Sequence, residues 1–235
     1  LCNNCRSRFA PIDGILNLAG DVIAPKYFSS QWAMEFGPIV TAYEEIWRPC
    51  VTSIVSNLKW EMETSQQLMD VSSGMDVLDI ACGTGNFTRL FPDSVKPGIV
   101  IGIDLSLPML KQCWFKLKQN KTNITLMRVN VTKWPFAAKT FDCIHCAGAL
   151  HLFSDLQNVF NSIYRSLKKG GYFVGVTYCR GKDIFISSIQ KYLEKAHDIH
   201  WFDQQELTKL STNAGFVRWE QQTYRQGIVF KVQKP

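Results

Sequence analysis

The chain has 235 residues, 46% hydrophobic, 12% aromatic and 20% charged, which suffices for one sizeable core and excludes disorder, collagen and coiled coil. No apolar run approaches the ~20 residues that cross a bilayer, because charge or glycine interrupts each candidate such as Gly98 to Leu110. The net charge of +6 hides an asymmetry: residues 1–70 hold five basic and eight acidic side chains, and residues 71–235 hold 21 and 12. A basic excess attracts nucleic acid or anionic ligands, although lysines dispersed along helices more often form a solvated face.

Residues 1–20 carry Cys2-x-x-Cys5, then Phe9 and Asp13-Gly14-Ile15, with no helical period. The start at Leu1 reads as residues having been removed upstream. A zinc knuckle needs four ligands, and this spacing supplies two; His197-x-x-His200 is distant, so no bound metal is expected. The eight cysteines are too few and scattered for a disulfide scaffold, and Cys82, Cys113, Cys143 and Cys146 sit in or beside apolar segments. They suggest a reducing intracellular compartment, with plastid and cytoplasm both open. Cys143 and Cys146 point to opposite faces of a strand, which argues for packing over a metal or redox pair.

Residues 21–70 are expected to form a helical cap. Trp32, Phe36, Ile39, Tyr43, Ile46 and Trp47 recur at three and four over 29–70, and a further helix is expected from Pro49 to Leu58. From residue 71 short apolar strands alternate with amphipathic helices, the signature of a parallel sheet covered on both faces. The strands are predicted at Asp76–Ile80, Gly98–Ile103, Ile124–Val129, Phe141–Cys146 and Tyr172–Thr177, with Phe216–Gln221 and Gly227–Val232 closing the sheet. Helices are predicted at Gly85–Phe91, Ser106–Lys118, Asp155–Leu167 and 204–214, the last with a capping box at Asp203 and Glu206, a staple of Phe202 and Leu207, and Gly215 beyond it. The expected fold is therefore α/β: a Rossmann-like, seven-stranded, mostly parallel sheet over 71–235, with an N-terminal helical cap.

The first of these strands runs into Ala81-Cys82-Gly83-Thr84-Gly85-Asn86-Phe87. Glycines there let the backbone turn sharply and let a ligand approach the main chain at the carboxyl end of a strand, where open α/β sheets bind ligands. Asp104 ends the next strand, where a carboxylate can accept both hydroxyls of a ribose. The loop is too short for a pyrophosphate fingerprint, and Asp79 would repel a phosphate while attracting an ammonium group. A nucleoside with a cationic amino-acid tail, such as S-adenosylmethionine, meets both demands. No Gly-Lys-Ser/Thr follows, which excludes a P-loop.

The string Val77 to Gly85, then Gly102-Ile103-Asp104-Leu105-Ser106 with Met109-Leu110, resembles the class I S-adenosylmethionine-dependent methyltransferases. Trp134-Pro135-Phe136, Thr140-Phe141-Asp142, Gly148-Ala149-Leu150-His151 and Leu167-Lys168-Lys169-Gly170-Gly171 extend the resemblance over 71–235. It is closest to the ubiquinone and menaquinone-biosynthesis type and to plant plastid-type methyltransferases, and residues 1–20 resemble half of a zinc-ribbon leader. The resemblance implies S-adenosylmethionine as cofactor, with Asp79 near the methionine amino group and Ala81, Gly83 and Gly85 under the amino-acid tail. It puts the ribose on Asp104, the adenine on Leu105, Asn130 and Val131, and Cys146 at the same site. Asn130 stands where the family has Asp, and its carbonyl oxygen can still meet the adenine amino group.

Methyl transfer from a sulfonium is an in-line displacement that requires positioning and exclusion of water more than a strong base. His151 and Tyr178, just after the fourth and fifth strands, are the candidate catalytic residues; packing is the alternative role for each. Tyr43, Trp47 and Trp201, with Arg48, are candidate substrate contacts in an aromatic lid, where a plain core stripe is the alternative. No Asn/Asp-Pro-Pro-Tyr/Phe follows the fourth strand, and the Pro-Cys and Thr-Cys motifs of cysteine-nucleophile pyrimidine methyltransferases are absent. A small-molecule acceptor is expected. RNA methylation is the alternative, favoured by the ribbon-like leader and by Lys111, Lys116, Lys118 and Lys121 around one helix; a non-catalytic S-adenosylmethionine-binding subunit is the third reading.

Overall fold

Nine strands form one sheet: β1 (Pro11–Ile12), β2 (Ile15–Asn17), β3 (Val77–Ile80), β4 (Val100–Asp104), β5 (Ile124–Arg128), β6 (Phe141–Ala147), β7 (Leu167–Tyr178), β8 (Val217–Tyr224) and β9 (Gly227–Gln233). They come from a computed structural model that describes residues 9–19, 30–120, 124–181, 187–188, 190–192, 194 and 199–235. The order is β1-β2-β5-β4-β3-β6-β7-β9-β8. Every pair from β2 to β7 is parallel, and β1, β9 and β8 add antiparallel edges. From β3 the chain steps outward to β4 and β5, then crosses back to β6 on the other side. That reversal opens a crevice beyond the carboxyl ends of β3 and β6, where such sheets take ligands.

The sheet has two strands more than expected. Asp13 and Gly14 both adopt positive φ, and their turn closes a hairpin whose second strand runs parallel to β5. Strands of two and three residues carry no readable period. Both faces of the sheet are apolar: Phe160, Phe173 and Phe230 pack on one side and Val77, Leu110 and Val174 on the other. Cys146 belongs to the first cluster and Cys143 to the second, opposite faces of β6.

The cap is broken into more pieces than the expected stripe and the further helix from Pro49 to Leu58. It comprises α1 (Ser30–Glu35), α2 (Gly37–Ala42), a π-helical turn at Tyr43–Trp47, α3 (Arg48–Val55) and α4 (Leu58–Met69). Pro38 sits in the first turn of α2, where its missing N–H costs nothing, and forces the restart after Phe36. Phe36, at the break before α2, and Ile46, in the π turn, leave the supposed buried stripe and are 44% and 61% exposed.

Gly85–Phe91 does not form an α-helix. It holds a single 3₁₀ turn at Thr88–Leu90, followed by α5 (Pro92–Val95), because Pro92 starts its own turn. Beyond β4 and β6 lie α6 (Leu107–Asn120) and α7 (Leu156–Ser166), the latter capped by Asp155. Then α8 (Gln204–Ala214) has its full capping box and a left-handed Gly215 at φ 100°. Lys168 and Lys169 do not end α7; they already belong to β7, and Lys168 Nζ bridges Asp76 and Asp142 at 3.0 and 2.7 Å. The lysines of α6 are engaged by neighbours: Lys111 pairs with Asp13 at 2.8 Å, Lys116 with Glu44 at 2.7 Å, and Lys118 lies over Trp114. Cys2, Cys5, Lys121 and His197 lie outside the described residues. No helix among the described residues is long and apolar enough to cross a membrane.

Candidate active site

A cavity of about 820 Å³ opens at the carboxyl ends of β3, β4, β6 and β7 and is roofed by the cap. Its floor is the turn after β3. Asp79 lines it, 2% exposed, with one carboxylate oxygen 2.8 Å from His145 Nδ1 and the other accepting the Thr88 hydroxyl at 2.6 Å. Strand register makes the first contact, since Asp79 and His145 are direct neighbours on β3 and β6. Ala81 and Gly83 line the cavity at positive φ, and a Cβ on Gly83 would meet nothing within 4 Å, leaving space above the loop for a ligand. Gly85 does otherwise. Its Cβ would fall 2.5 Å from Cys113 Sγ, so this glycine lets the loop pack on α6 and does not line the cavity.

Asp104 accepts the Gly83 amide on one oxygen and the Ser106 amide on the other, both at 2.8 Å. Each oxygen keeps a lone pair for an incoming hydroxyl. Burial pushes this carboxyl up to about 6, against the two amides that pull it down, while nearby Glu35 adds to the rise. Leu105, Asn130 and Val131 line the same end of the cavity. The Asn130 carbonyl oxygen is already spent on the Thr132 amide and hydroxyl, at 3.0 and 2.8 Å, so what it can offer a ligand is its NH₂ group and not the expected carbonyl. Cys146 does not belong to the site: its thiol is fully buried in the core, and Ala147, Gly148 and Ala149 take the edge position.

At the cap end, Tyr43, Arg48, His151 and Tyr178 meet around the cavity. The His151 and Tyr178 rings lie 5.4 Å apart. Neither is the strong base expected of a proton acceptor: burial, with Arg48 and His200 nearby, holds His151 down to about 3, and burial pushes Tyr178 up to about 12. At neutral pH they are an uncharged imidazole and an intact phenol. Trp201 is buried with its ring 6.4 Å from Tyr178 and does not line the cavity; Trp47 closes the π turn, and its side chain lies outside the described residues.

Ion pairs at Glu44 tie the cap to the rest of the fold, and one at Arg48 ties the cap together. Glu44, on the π turn, accepts Thr84 Oγ1 at 2.6 Å and pairs with Arg89 at 2.9 Å as well as with Lys116. Its carboxyl is held below the usual glutamate range, since these donors outweigh its burial. Arg48 pairs with the fully buried Glu61 at 3.2 Å. Glu44, Glu61 and Thr84 carry no motif of their own; only the position of Thr84 between the two glycines marks it in the sequence.

Residues 77–171 match the family described as Methyltransferase domain. A demethylmenaquinone methyltransferase of Lactococcus lactis is 30% identical over 85% of this chain and 89% of its own length. The chain belongs to the S-adenosylmethionine-dependent methyltransferases. A chloroplastic methyltransferase of Arabidopsis thaliana aligns with all of this chain and 70% of its own length at 27% identity. Among solved structures, the phosphoethanolamine N-methyltransferase 2 of Haemonchus contortus, in complex with S-adenosyl-L-methionine, superposes with a TM-score of 0.73 at 17% identity, over 88% of this chain. This chain spans 58% of that structure's length, and the likeness extends the methyltransferase fold to it. S-adenosylmethionine is the cofactor of the family, and the donors here fit it: a carboxylate with free lone pairs at Asp104, an acidic floor at Asp79, and open space over Gly83.

Proposed function

We propose that the chain transfers a methyl group to a small-molecule acceptor seated beneath the cap. The observation that carries this reading is the single continuous cavity, which joins the nucleoside end at Asp104 and Leu105 to the cap end at Tyr43 and Tyr178. Its size is toward the upper part of the ~300–1,000 Å³ that small-molecule sites occupy, which suits a cofactor and a small acceptor together. When bound, S-adenosylmethionine supplies an electrophilic methyl carbon on a sulfonium.

The residues then divide the work. Asp104 receives the ribose hydroxyls, Asp79 attracts the ammonium group, and Gly83 leaves room for the amino-acid tail. Leu105 and Val131 flank the adenine, whose ring nitrogens suit the Asn130 NH₂ group. His151 and Tyr178 orient the acceptor by hydrogen bonds, and the cap keeps water out, so that the displacement occurs within a dry and fixed geometry. The Lactococcus relative's name gives demethylmenaquinone, a small molecule, as its acceptor. The engagement of Lys111, Lys116 and Lys118 by Asp13, Glu44 and Trp114 weighs against an RNA face on α6. The chloroplastic names of two Arabidopsis relatives support a plastid as the compartment.

The test is transfer of radiolabelled methyl from S-adenosylmethionine into a source-cell extract, followed by partition of the label. Label in organic-extractable small molecules is the expected result. Label released by nuclease would replace this reading with RNA methylation.

A further inference from the structure

Four buried polar atoms have no hydrogen-bond partner among the described residues: Arg48 Nε and His151 Nδ1, of residues that line the cap end of the cavity, and Glu61 Oε1 and Trp201 Nε1, of residues behind that wall. Most buried polar groups are paired, and an unspent donor is costly to hold away from water. Arg48 is the centre of this cluster. Its side chain is 11% exposed, its Nη2 meets Glu61 through one contact at 3.2 Å, and its Nη1 lies at the limit of hydrogen-bond distance, 3.5 Å, from the Tyr43 hydroxyl. A guanidinium carries five N–H donors, and most of these remain unspent.

The guanidinium also abuts the strand edge through its Nη end. A Cβ on Gly148 would fall 2.5, 2.7 and 2.9 Å from Nη1, Nη2 and Cζ, so glycine at 148, with φ 65°, lets Arg48 reach the loop that leads to His151. A plain tie between α3 and α4 would need neither this approach nor a place on the cavity wall. Among the described residues that line the cap end beside it, Tyr43, Thr52, His151 and Tyr178, none is an anion that would compete for the group.

We propose that Arg48 is the anchor for an ionised oxygen on the methyl acceptor, a phenolate, enolate or carboxylate, held between Tyr43, His151 and Tyr178. The inference rests on the small-molecule methyltransferase reading and names the acceptor chemistry of that same site. The wall otherwise offers a neutral imidazole and a protonated phenol, so an acceptor that arrives ionised needs no strong base to lose a proton. For a phenolate or enolate, the displacement forms a bond from its oxygen or ring carbon to the methyl carbon and breaks the carbon–sulfur bond. The electron pair of that bond goes to sulfur, so the anion and the sulfonium neutralise each other and a low-dielectric pocket assists the step. Arg48 holds the anion in place until then. Glu61 keeps the guanidinium oriented without reaching the cavity wall itself.

The full chain, saturated with S-adenosylhomocysteine, is titrated with 4-nitrophenol and benzoate as probes, against nitrobenzene and benzamide as neutral counterparts. An anionic probe is expected to bind at least about tenfold tighter than its neutral counterpart, and bound nitrophenol to titrate about one pH unit below the free probe. Arg48→Met should abolish both effects while S-adenosylhomocysteine affinity stays within about twofold, a split that loss of a structural tie would not produce. If that variant fails to fold, Arg48→Met with Glu61→Gln removes both buried charges together and is read in the same way. Preference for nitrophenolate alone identifies a phenol-like or enol-like acceptor, and preference for benzoate alone a carboxylate; each supports the proposal. Equal binding of neutral and anionic probes to wild type, with S-adenosylhomocysteine bound, overturns it and leaves the methyltransferase reading intact. Failure of wild type to bind S-adenosylhomocysteine overturns both.

Discussion

The two ends of the cavity are built differently. At the nucleoside end, the groups are set by near neighbours in sequence or by strand register: Asp104 is fixed by the Gly83 and Ser106 amides, and Asp79 faces His145 across one pair of strands. At the cap end, the contacts join segments far apart in the chain: Glu44 bonds Thr84, Arg89 and Lys116, and Arg48, paired with Glu61 inside the cap, approaches the Gly148 loop. The first end is a rigid scaffold for a fixed ligand. The second is a cap held by ion pairs, which can be loosened by salt, pH or single substitutions without disturbing the sheet.

Cutting the cap's main tie should give the largest effect. Glu44→Gln leaves Arg89 and Lys116 without their shared anion. Each of those cations is about a quarter exposed, so the expected loss is ~2–3 kcal/mol, below the 3–5 of a fully buried pair, read as a shift of the urea midpoint. The pH dependence has a definite sign. A carboxyl held below its ordinary value stabilises the fold above the unfolded glutamate pKa of about 4.3, and that contribution disappears as pH falls through the folded value, so wild type should lose stability in that window faster than the variant.

The scaffold end is broken by Asp104→Ala. Loss of hydrogen bonds to a charged group should weaken S-adenosylmethionine binding by ~1.5–3 kcal/mol, tenfold or more, measured by calorimetry. An affinity within about twofold of wild type would remove Asp104 from the ribose site. The two loop glycines then separate binding from folding. Gly85→Ala drives a methyl group toward Cys113 Sγ at φ 88° and should cost ~1–3 kcal/mol of stability. Gly83→Ala meets no neighbour, so its stability loss should be limited to ~1–2 kcal/mol of left-handed backbone strain, while the added methyl intrudes on the cofactor's space and weakens binding more than it weakens the fold.

The same contrast explains what the sequence disclosed. The strand, glycine turn and following carboxylate are local and periodic, so that arrangement was legible, as was α8, whose capping box is written in Asp203, Glu206 and Gly215. Spacing could not separate Gly83 from Gly85, because the difference is a contact with α6, some 30 residues onward. Cys146 was misplaced by one step along β6, which sends its thiol into the core while the residue after it reaches the edge. The cap was legible as helix, with a restart near Pro49, but the π turn that brings Glu44 to the glycine loop has no local pattern, and the ion pairs it makes join residues 45 and 72 positions apart.

The gentlest perturbation is pH itself, and it tells the two ends apart without a substitution. Burial raises Asp104 to about 6, so in the free protein this group stabilises the fold fully below the ordinary aspartate value of about 3.9 and loses that contribution as pH rises through 6. Cofactor binding runs the other way. With the proposed ribose role of Asp104, the hydroxyls are accepted by the ionised carboxylate, so affinity should fall up to about tenfold for each pH unit below 6, with proton release on binding near that pH. At the cap end His151 is held neutral down to about 3, so turnover at saturating cofactor should show no histidine limb near 6.5. Calorimetry in buffers of different ionisation heat reads the first effect, and the pH profile of kcat reads the second. A kcat limb near 6.5 that disappears in His151→Ala would make His151 a titrating base and reverse the neutral, orienting role assigned to it.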